Sequence, residues 1–274
     1  MDVTGAIRVA RLSDVGQVRD HNEDAIASDL SVGLLILADG MGGYKAGEIA
    51  SEIAVLTITA ELSEAMRGKM SLAKPKSKLL PESEMLIEAV EKANAAIFKI
   101  SHALPQCAGM GTTLVTGIFT GNKLIVGHIG DSRMYRLRDG ALTRLTQDHS
   151  LIQEQINAGE ITEAQAKESV NKNLVTRALG IDDVADLELH EHDVKVKDTY
   201  LLCSDGLTDM VTDEEIRIMM MEAGSNTERA TVNLVRFANE KGGKDNISVV
   251  VAYVKKEFSS KHLWVKKLLG SNKN

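Results

Sequence analysis

The chain reads as an α+β domain in which two sheets pack together with helices outside. Three observations lead there. Strand-like runs come in blocks, with turn pairs such as Gly121-Asn122 and Asp139-Gly140 between neighbours. Apolar stripes at helical spacing, such as Leu86, Ala89, Val90, Ala93 and Ile97, lie in separate blocks. Across 274 residues no internal repeat and no flexible linker divides the chain.

Ile7 to Leu12 alternates as a strand does, and a polar stretch from Ser13 to Asp24 follows. Val32 to Ala38 is almost continuously apolar, the pattern of a strand buried on both faces. Ala46, Ile49, Ala50, Ile53 and Ala54 predict a helix. Met66 to Pro81, with Arg67, Lys69, Lys74, Lys76 and Lys78, reads as an exposed, solvated connector before the second helical stripe. Thr112 to Phe119, Lys123 to Ile129, Arg133 to Arg138 and Ala141 to Leu145 are four strand runs in series. Sequential hairpins would join them in one antiparallel sheet. Thr146 to Gly180 is polar and helical in short pieces. Ser150 can cap Leu151 to Ala158, and Thr162 with Gln165 has the capping-box pattern. Thr199 to Cys203 is a strand, and Thr212 with Glu215 caps a helix through Met219-Met220-Met221, where the methionines fill core. A helix through Leu234, Val235 and Ala238 ends at Gly242-Gly243, and Ile247 to Val254 is the last strand. The basic tail, 255–274, reads as a frayed end or a helix on its own domain, with a short amphipathic membrane or partner helix as the alternative.

Composition narrows the function. A net charge of −7 argues against a nucleic-acid binder, which needs a basic face. Cys107 and Cys203 lack the partners of a zinc site, and two cysteines make no disulfide framework; Cys203 ends an apolar run and reads as a buried hydrophobe. No basic start leads into an apolar segment, and no run approaches the ~18 apolar residues that span a bilayer, so a cytoplasmic protein, acting as a monomer, is expected.

The informative residues are three acidic stretches: Ala38-Asp39-Gly40-Met41-Gly42-Gly43, Cys203-Ser204-Asp205-Gly206 and Gly243-Lys244-Asp245-Asn246. Each places an Asp at the end or start of an apolar run, hence at the rim of a sheet. Three carboxylates at one rim form an all-oxygen set suited to Mg²⁺ or Mn²⁺. Asp39 has two oxygens with which to bridge two ions, and Gly40 lets its carbonyl approach. Two such ions ~3.5–4 Å apart activate a water and clamp the oxygens of a displacement at phosphorus. Arg19, in Gly16-Gln17-Val18-Arg19-Asp20-His21-Asn22-Glu23-Asp24, is the leading phosphate clamp. Taken singly, each Asp-Gly is more often a turn, as Asp139-Gly140 shows. A nucleotide-binding glycine loop at Gly40 to Gly47 or Gly109 to Gly111 fails for want of the Gly-Lys-Ser/Thr ending.

Taken in order, the motifs resemble those of the metal-dependent protein phosphatases of the PPM or PP2C type, in their bacterial form, from about residue 7 to about residue 254. They are Ser13-Asp14-Val15-Gly16 through Asn22-Glu23-Asp24, the Asp39 stretch with Gly47-Glu48-Ile49-Ala50-Ser51, Met110-Gly111-Thr112-Thr113, Gly130-Asp131-Ser132-Arg133, Leu145-Thr146-Gln147-Asp148-His149-Ser150, Thr176-Arg177-Ala178-Leu179-Gly180, and the Asp205 and Asp245 stretches. The resemblance implies a four-layer α-β-β-α sandwich of two antiparallel sheets flanked by helices. It implies hydrolysis of phosphoserine and phosphothreonine on proteins by a metal-activated water, with no phosphoenzyme, opposing a bacterial Ser/Thr kinase. It also implies that Asp39 bridges two core ions, that Gly40 offers its carbonyl, and that Asp205 and Asp245 complete one ion's ligands. Asp131 with Asp205 would hold a third, weaker ion. Glu23 and Asp24 would hold metal-bound water or, as in some relatives, a metal directly, Arg19 would bind phosphate, and Thr146 to Gly180 would be a flap.

Two departures stand out. Animal members have a His where this chain has Met41, and many bacterial members have one where it has Tyr44, so the general acid is unassigned. The flap lacks the usual His-Pro pair, with Ser169-Val170 roughly there. His21, His128 and His149 are assigned no metal. The alternative function is a catalytically silent regulator of the same fold that binds phosphoproteins. Such a protein would be expected to have lost a metal Asp, and none is missing.

Overall fold

The apolar run at Val32–Ala38 shows how the layers arise. A computed structural model describes residues 2–43, 45–67, 79–166 and 174–258. In it the run feeds β3 (Leu34–Met41), after β1 (Ile7–Asp14) and β2 (Asp24–Asp29). Leu34 through Ala38 are fully buried because both faces are covered. Leu34, Ile36 and Ala38 pack against α1 (Ala46–Arg67) and α2 (Pro81–Ala103), whereas Leu35 and Leu37 point into the space between two sheets.

The first sheet runs β2-β3-β5-β6-β9, with β4 (Gly111–Thr112) paired to β3; its other members are β5 (Leu114–Thr120), β6 (Lys123–Ile129) and β9 (Glu188–Asp193). The second sheet runs β1-β11-β10-β7-β8. It is built from β7 (Arg133–Arg138), β8 (Ala141–Arg144), β10 (Thr199–Cys203) and β11 (Ile247–Val254) with β1. All pairings are antiparallel. The outer face of the second sheet, Tyr135, Leu201, Cys203, Val249 and Val251, is covered by α6 (Asp213–Ala223) and α7 (Thr227–Glu240). Short helices α3 (Leu151–Asn157), α4 (Glu163–Ala166) and α5 (Asp205–Thr208) complete the described residues. The α-β-β-α sandwich is therefore the observed architecture.

The four serial strand runs do not share one sheet. β5 and β6 belong to the first sheet and β7 and β8 to the second, so the chain changes sheets across Gly130-Asp131-Ser132. Gly130 makes the corner possible. Its φ is +101°, and a Cβ there would sit 2.7 Å from the Thr113 side chain. Both hairpin turns occur as read, with positive φ at Gly121 and Asn122 and at Asp139 and Gly140.

Ser150 caps α3 by accepting from the Gln153 amide, and the Thr212–Glu215 capping box is complete. Thr162 and Gln165 exchange the bonds of a box as well. Of the three methionines on α6, Met220 is buried and Met219 packs partly buried against the same cluster, but Met221 is 48% exposed, so two of the three fill core. The connector from Met66 to Pro81 is shorter than read, since α1 extends through Arg67 and α2 begins at Pro81; its residues 68–78 lie outside the described residues. Tyr44, Ser169-Val170 and the tail from 259 lie outside them too. Phe258 is buried against Phe119, so packing continues a few residues past Val254. Among the described residues, no helix is long and apolar enough to cross a membrane.

Candidate metal centre

Both sheets present acids at the same end. In the first sheet Asp24 and Asp39 are direct cross-strand partners on β2 and β3. In the second, Asp205 follows β10 as the first residue of α5, and Asp245 lies two residues before β11. Asp131 sits at the corner between the sheets. A cleft of about 280 Å³ opens there, lined by Arg19, Glu23, Asp39, Gly40, Asp131, Asp205 and Asp245, with Met41, Gly42, Thr113, Val175 and Asn246. All the residues singled out in the sequence line this cleft except Asp24, which lies behind Asp39.

The backbone is drawn in tightly. A Cβ on Gly40 would fall 2.1 Å from the Gly47 carbonyl oxygen, where α1 begins, so only glycine permits that approach. Thr113 fixes Asp39 from the neighbouring strand: its Oγ1 accepts from the Asp39 amide at 3.1 Å, and its own amide donates to the Asp39 carbonyl at 2.8 Å. Thr113 Oγ1 also meets Ser132 Oγ at 2.8 Å, which ties the Asp39 strand to the Asp131 corner.

Asn246, next to Asp245, holds the Arg19 loop in place. Its Oδ1 accepts from the Glu23 amide at 2.8 Å, while its Nδ2 donates to the Val15 and His21 carbonyls at 2.9 and 3.0 Å. The only signal for it in the sequence was its place in the Asp245 stretch. Replacing it with alanine removes the side-chain partner of three part-buried backbone groups. Asn246→Ala is expected to lower the stability of the metal-free protein by about 3 kcal/mol, read from urea unfolding.

Electrostatics set this end apart. Burial raises the Asp39 carboxyl well above its usual range, and Asp24, Asp205, Asp131 and Asp245 add repulsion. Asp205 is raised well above by burial, then by Asp131, Asp209 and Asp245. Burial pushes Asp24 to about 7 and Asp131 to about 6, and raises Glu23. Arg19 offsets part of this charge: its Nη2 donates to Asp245 Oδ2 at 2.7 Å, and that bond is the main reason the arginine is held charged more firmly. Asp24 Oδ2 accepts from Ser204 Oγ at 2.9 Å, but its buried Oδ1 has no hydrogen-bond partner among the described residues. Crowded carboxylates, one with an orphan oxygen, are a donor set that divalent cations satisfy and protein groups do not. The residues present therefore fit hard divalent ions.

A two-sheet sandwich with a carboxylate-lined cleft and an arginine at its lip is the architecture of a metal-dependent phosphatase. The chain belongs to the protein phosphatase 2C family, whose model matches residues 17–246. It is 41% identical over 254 residues to the serine/threonine protein phosphatase PstP of Mycobacterium tuberculosis, covering 92% of this chain and 46% of PstP. The chain thus spans about half the length of that relative. It is 36% identical over 245 residues to the serine/threonine phosphatase stp of Listeria monocytogenes, covering 87% of this chain and 92% of stp. The crystal structure of M. tuberculosis PstP superposes with a TM-score of 0.81 at 37% identity, covering 92% of this chain and all of that one. A structure of the PstP catalytic domain in complex with two manganese ions gives a TM-score of 0.78 at 38% identity, over 92% of this chain and 99% of that one.

Proposed function

We propose that this chain is an active serine/threonine protein phosphatase that hydrolyses phosphoserine and phosphothreonine on proteins and opposes a bacterial Ser/Thr kinase. The observation that carries the reading is the convergence of Asp39, Asp205, Asp245 and Asp131 with Arg19 on one cleft. A silent phosphoprotein-binding relative is disfavoured, because it would have no use for a set of mutually repelling buried acids. The phosphatase domain is taken as residues 1–254, with a flap at about 146–180 and a basic tail from 255.

Asp39, Asp205, Asp245 and the Gly40 carbonyl would hold a core pair of Mn²⁺ or Mg²⁺ ions, and Asp131 with Asp205 a third. When bound, these ions supply an activated water and neutralise charge on the phosphoryl oxygens. Glu23 and Asp24 orient water at the edge of the set; the orphan Asp24 Oδ1 is an acceptor suited to that task. Arg19 binds the phosphoryl group. Its pairing with Asp245 uses Nη2 alone among the described residues, which leaves a fork of donors at the lip. Met41 lines the cleft and has no proton to give, so the proton for the leaving alkoxide comes from another group.

The test is phosphate release from a phosphothreonine peptide with Mn²⁺. No release, or release unaffected by Asp39→Asn, would sink the reading. Arg19→Ala is expected to lower kcat/KM on that peptide by about 10–100-fold, the worth of a charge-assisted bond, with KM taking most of the change. Arg19→Lys should recover only part, because an ammonium cannot match the planar fork.

A further inference from the structure

His149 is a closely held side chain near the cleft that the proposed chemistry does not use. It lies in a polar stretch just before α3, yet it is only 7% exposed. Its backbone is bound on both sides: its amide donates to the Gly130 carbonyl at 2.9 Å, and its carbonyl accepts from the Thr176 amide at 2.9 Å. The next residues continue the contact, with Ser150 bridged to Val175 and the Leu151 amide donating to the Leu174 carbonyl. Val175 lines the cleft.

The ring completes the arrangement. The Gly130 amide donates to His149 Nδ1 at 3.2 Å, so Nδ1 offers a lone pair and Nε2 carries the proton. Nε2 donates that proton to Glu188 Oε2 at 3.1 Å, and the other oxygen of Glu188 meets His190 Nε2 at 2.6 Å. His128 stacks on the ring at 4.7 Å and is itself held by the Gln147 carbonyl. The nitrogen and oxygen atoms of His128, His149 and Glu188 lie within 4.8 Å of one another, the spacing of a metal site. The Gly130 bond argues against an ion there. With Nδ1 engaged as an acceptor, a neutral His149 has no second lone pair to direct at Glu188.

We propose that His149 is a positioning residue that locks Gly130, and with it Asp131, to the segment Leu174–Thr176, whose Val175 lines the cleft. It grips Gly130 from both its amide and its carbonyl sides, one residue from an acid of the cleft, while its own carbonyl holds Thr176. The consequence for catalysis rests on the phosphatase reading; the positioning itself does not.

Hydrogen exchange of the metal-free protein therefore tests it directly. In His149→Leu, which keeps bulk and removes both ring bonds, amides in peptides containing Gly130 and Thr176 should exchange about tenfold faster. His149→Asn, whose Oδ1 replaces Nδ1 as an acceptor, should restore the slow exchange of the Gly130 peptide. Should His149→Leu not fold, His149→Gln serves, since it reaches Glu188 but leaves Gly130 without an acceptor. The accompanying kinetic effect is a roughly tenfold lower kcat on the phosphopeptide with KM within about twofold. Unchanged exchange at both peptides in His149→Leu or His149→Gln overturns the proposal, as does a His149→Asn variant no better than those two. If the wild-type protein releases no phosphate, only the kinetic part falls.

Discussion

Asp39→Asn should abolish phosphatase activity while making the metal-free protein more resistant to heat. Loss of the proposed bridging ligand is expected to lower kcat by about three orders of magnitude, ~4 kcal/mol at the transition state. The stability effect has the opposite sign. Asp39 is raised by burial and by four neighbouring acids, so its charge works against the empty fold. An amide keeps the shape and the hydrogen-bonding capacity without the charge. A thermal melt in chelator should therefore show Asp39→Asn above wild type, and added Mn²⁺ should reverse the order. A mutant less stable than wild type in chelator would mean that Asp39 is held by protein bonds rather than awaiting cations.

The second large effect is a fall in metal-free stability as pH rises from about 4 through about 7. Asp24 and Asp131 have an ordinary value of 3.8, raised to about 7 and about 6 in the folded chain, chiefly by burial. Between those values the unfolded chain has lost protons that the folded chain still holds. The contribution of these two groups is therefore fully present below about pH 4 and is lost as pH climbs through 6 and 7, for a total of the order of a few kcal/mol. Cations replace those protons. At Mn²⁺ a hundredfold above its dissociation constant, binding adds about 2.7 kcal/mol per site, and the decline with pH should flatten. Urea midpoints across pH 5 to 8, with chelator and with Mn²⁺, decide the matter. A chelated protein that gains stability toward neutral pH would contradict it.

Much of this was legible in the residues themselves. Continuous apolar runs announced β3 and β11, because strands covered on both faces admit few polar positions. The caps of α3 and α6 were legible because capping is a local, side-chain-specific bond. What escaped notice were β2 and β9, the sequences Asp-Ala-Ile-Ala-Ser-Asp and Glu-Leu-His-Glu-His-Asp. Both are edge strands of the first sheet, half-covered and rich in polar residues that keep an open edge from pairing with another chain. The change of sheet at Gly130 was hidden for a different reason. Hairpin signals report neighbours along the chain, and only tertiary packing tells which sheet receives a strand. For the cleft, the acids stood out because Asp-Gly at a strand end is visible locally. Asn246 and Thr113 bond to backbone groups remote in sequence, and no pattern marks such bonds in advance.

The corner at Gly130-Asp131-Ser132 carries a temporal consequence. The acids of the cleft come from every part of the chain: Glu23 and Asp39 early, Asp131 midway, Asp205 late and Asp245 just before β11. No short contiguous segment contains the set. A growing polypeptide can build the first sheet through β6 with α1 and α2 while Asp205 and Asp245 do not yet exist. On this layout the full acid set exists only once Asp245 and β11 have been made. On the phosphatase reading, a chain cut short of Asp245 would be inert toward phosphopeptides.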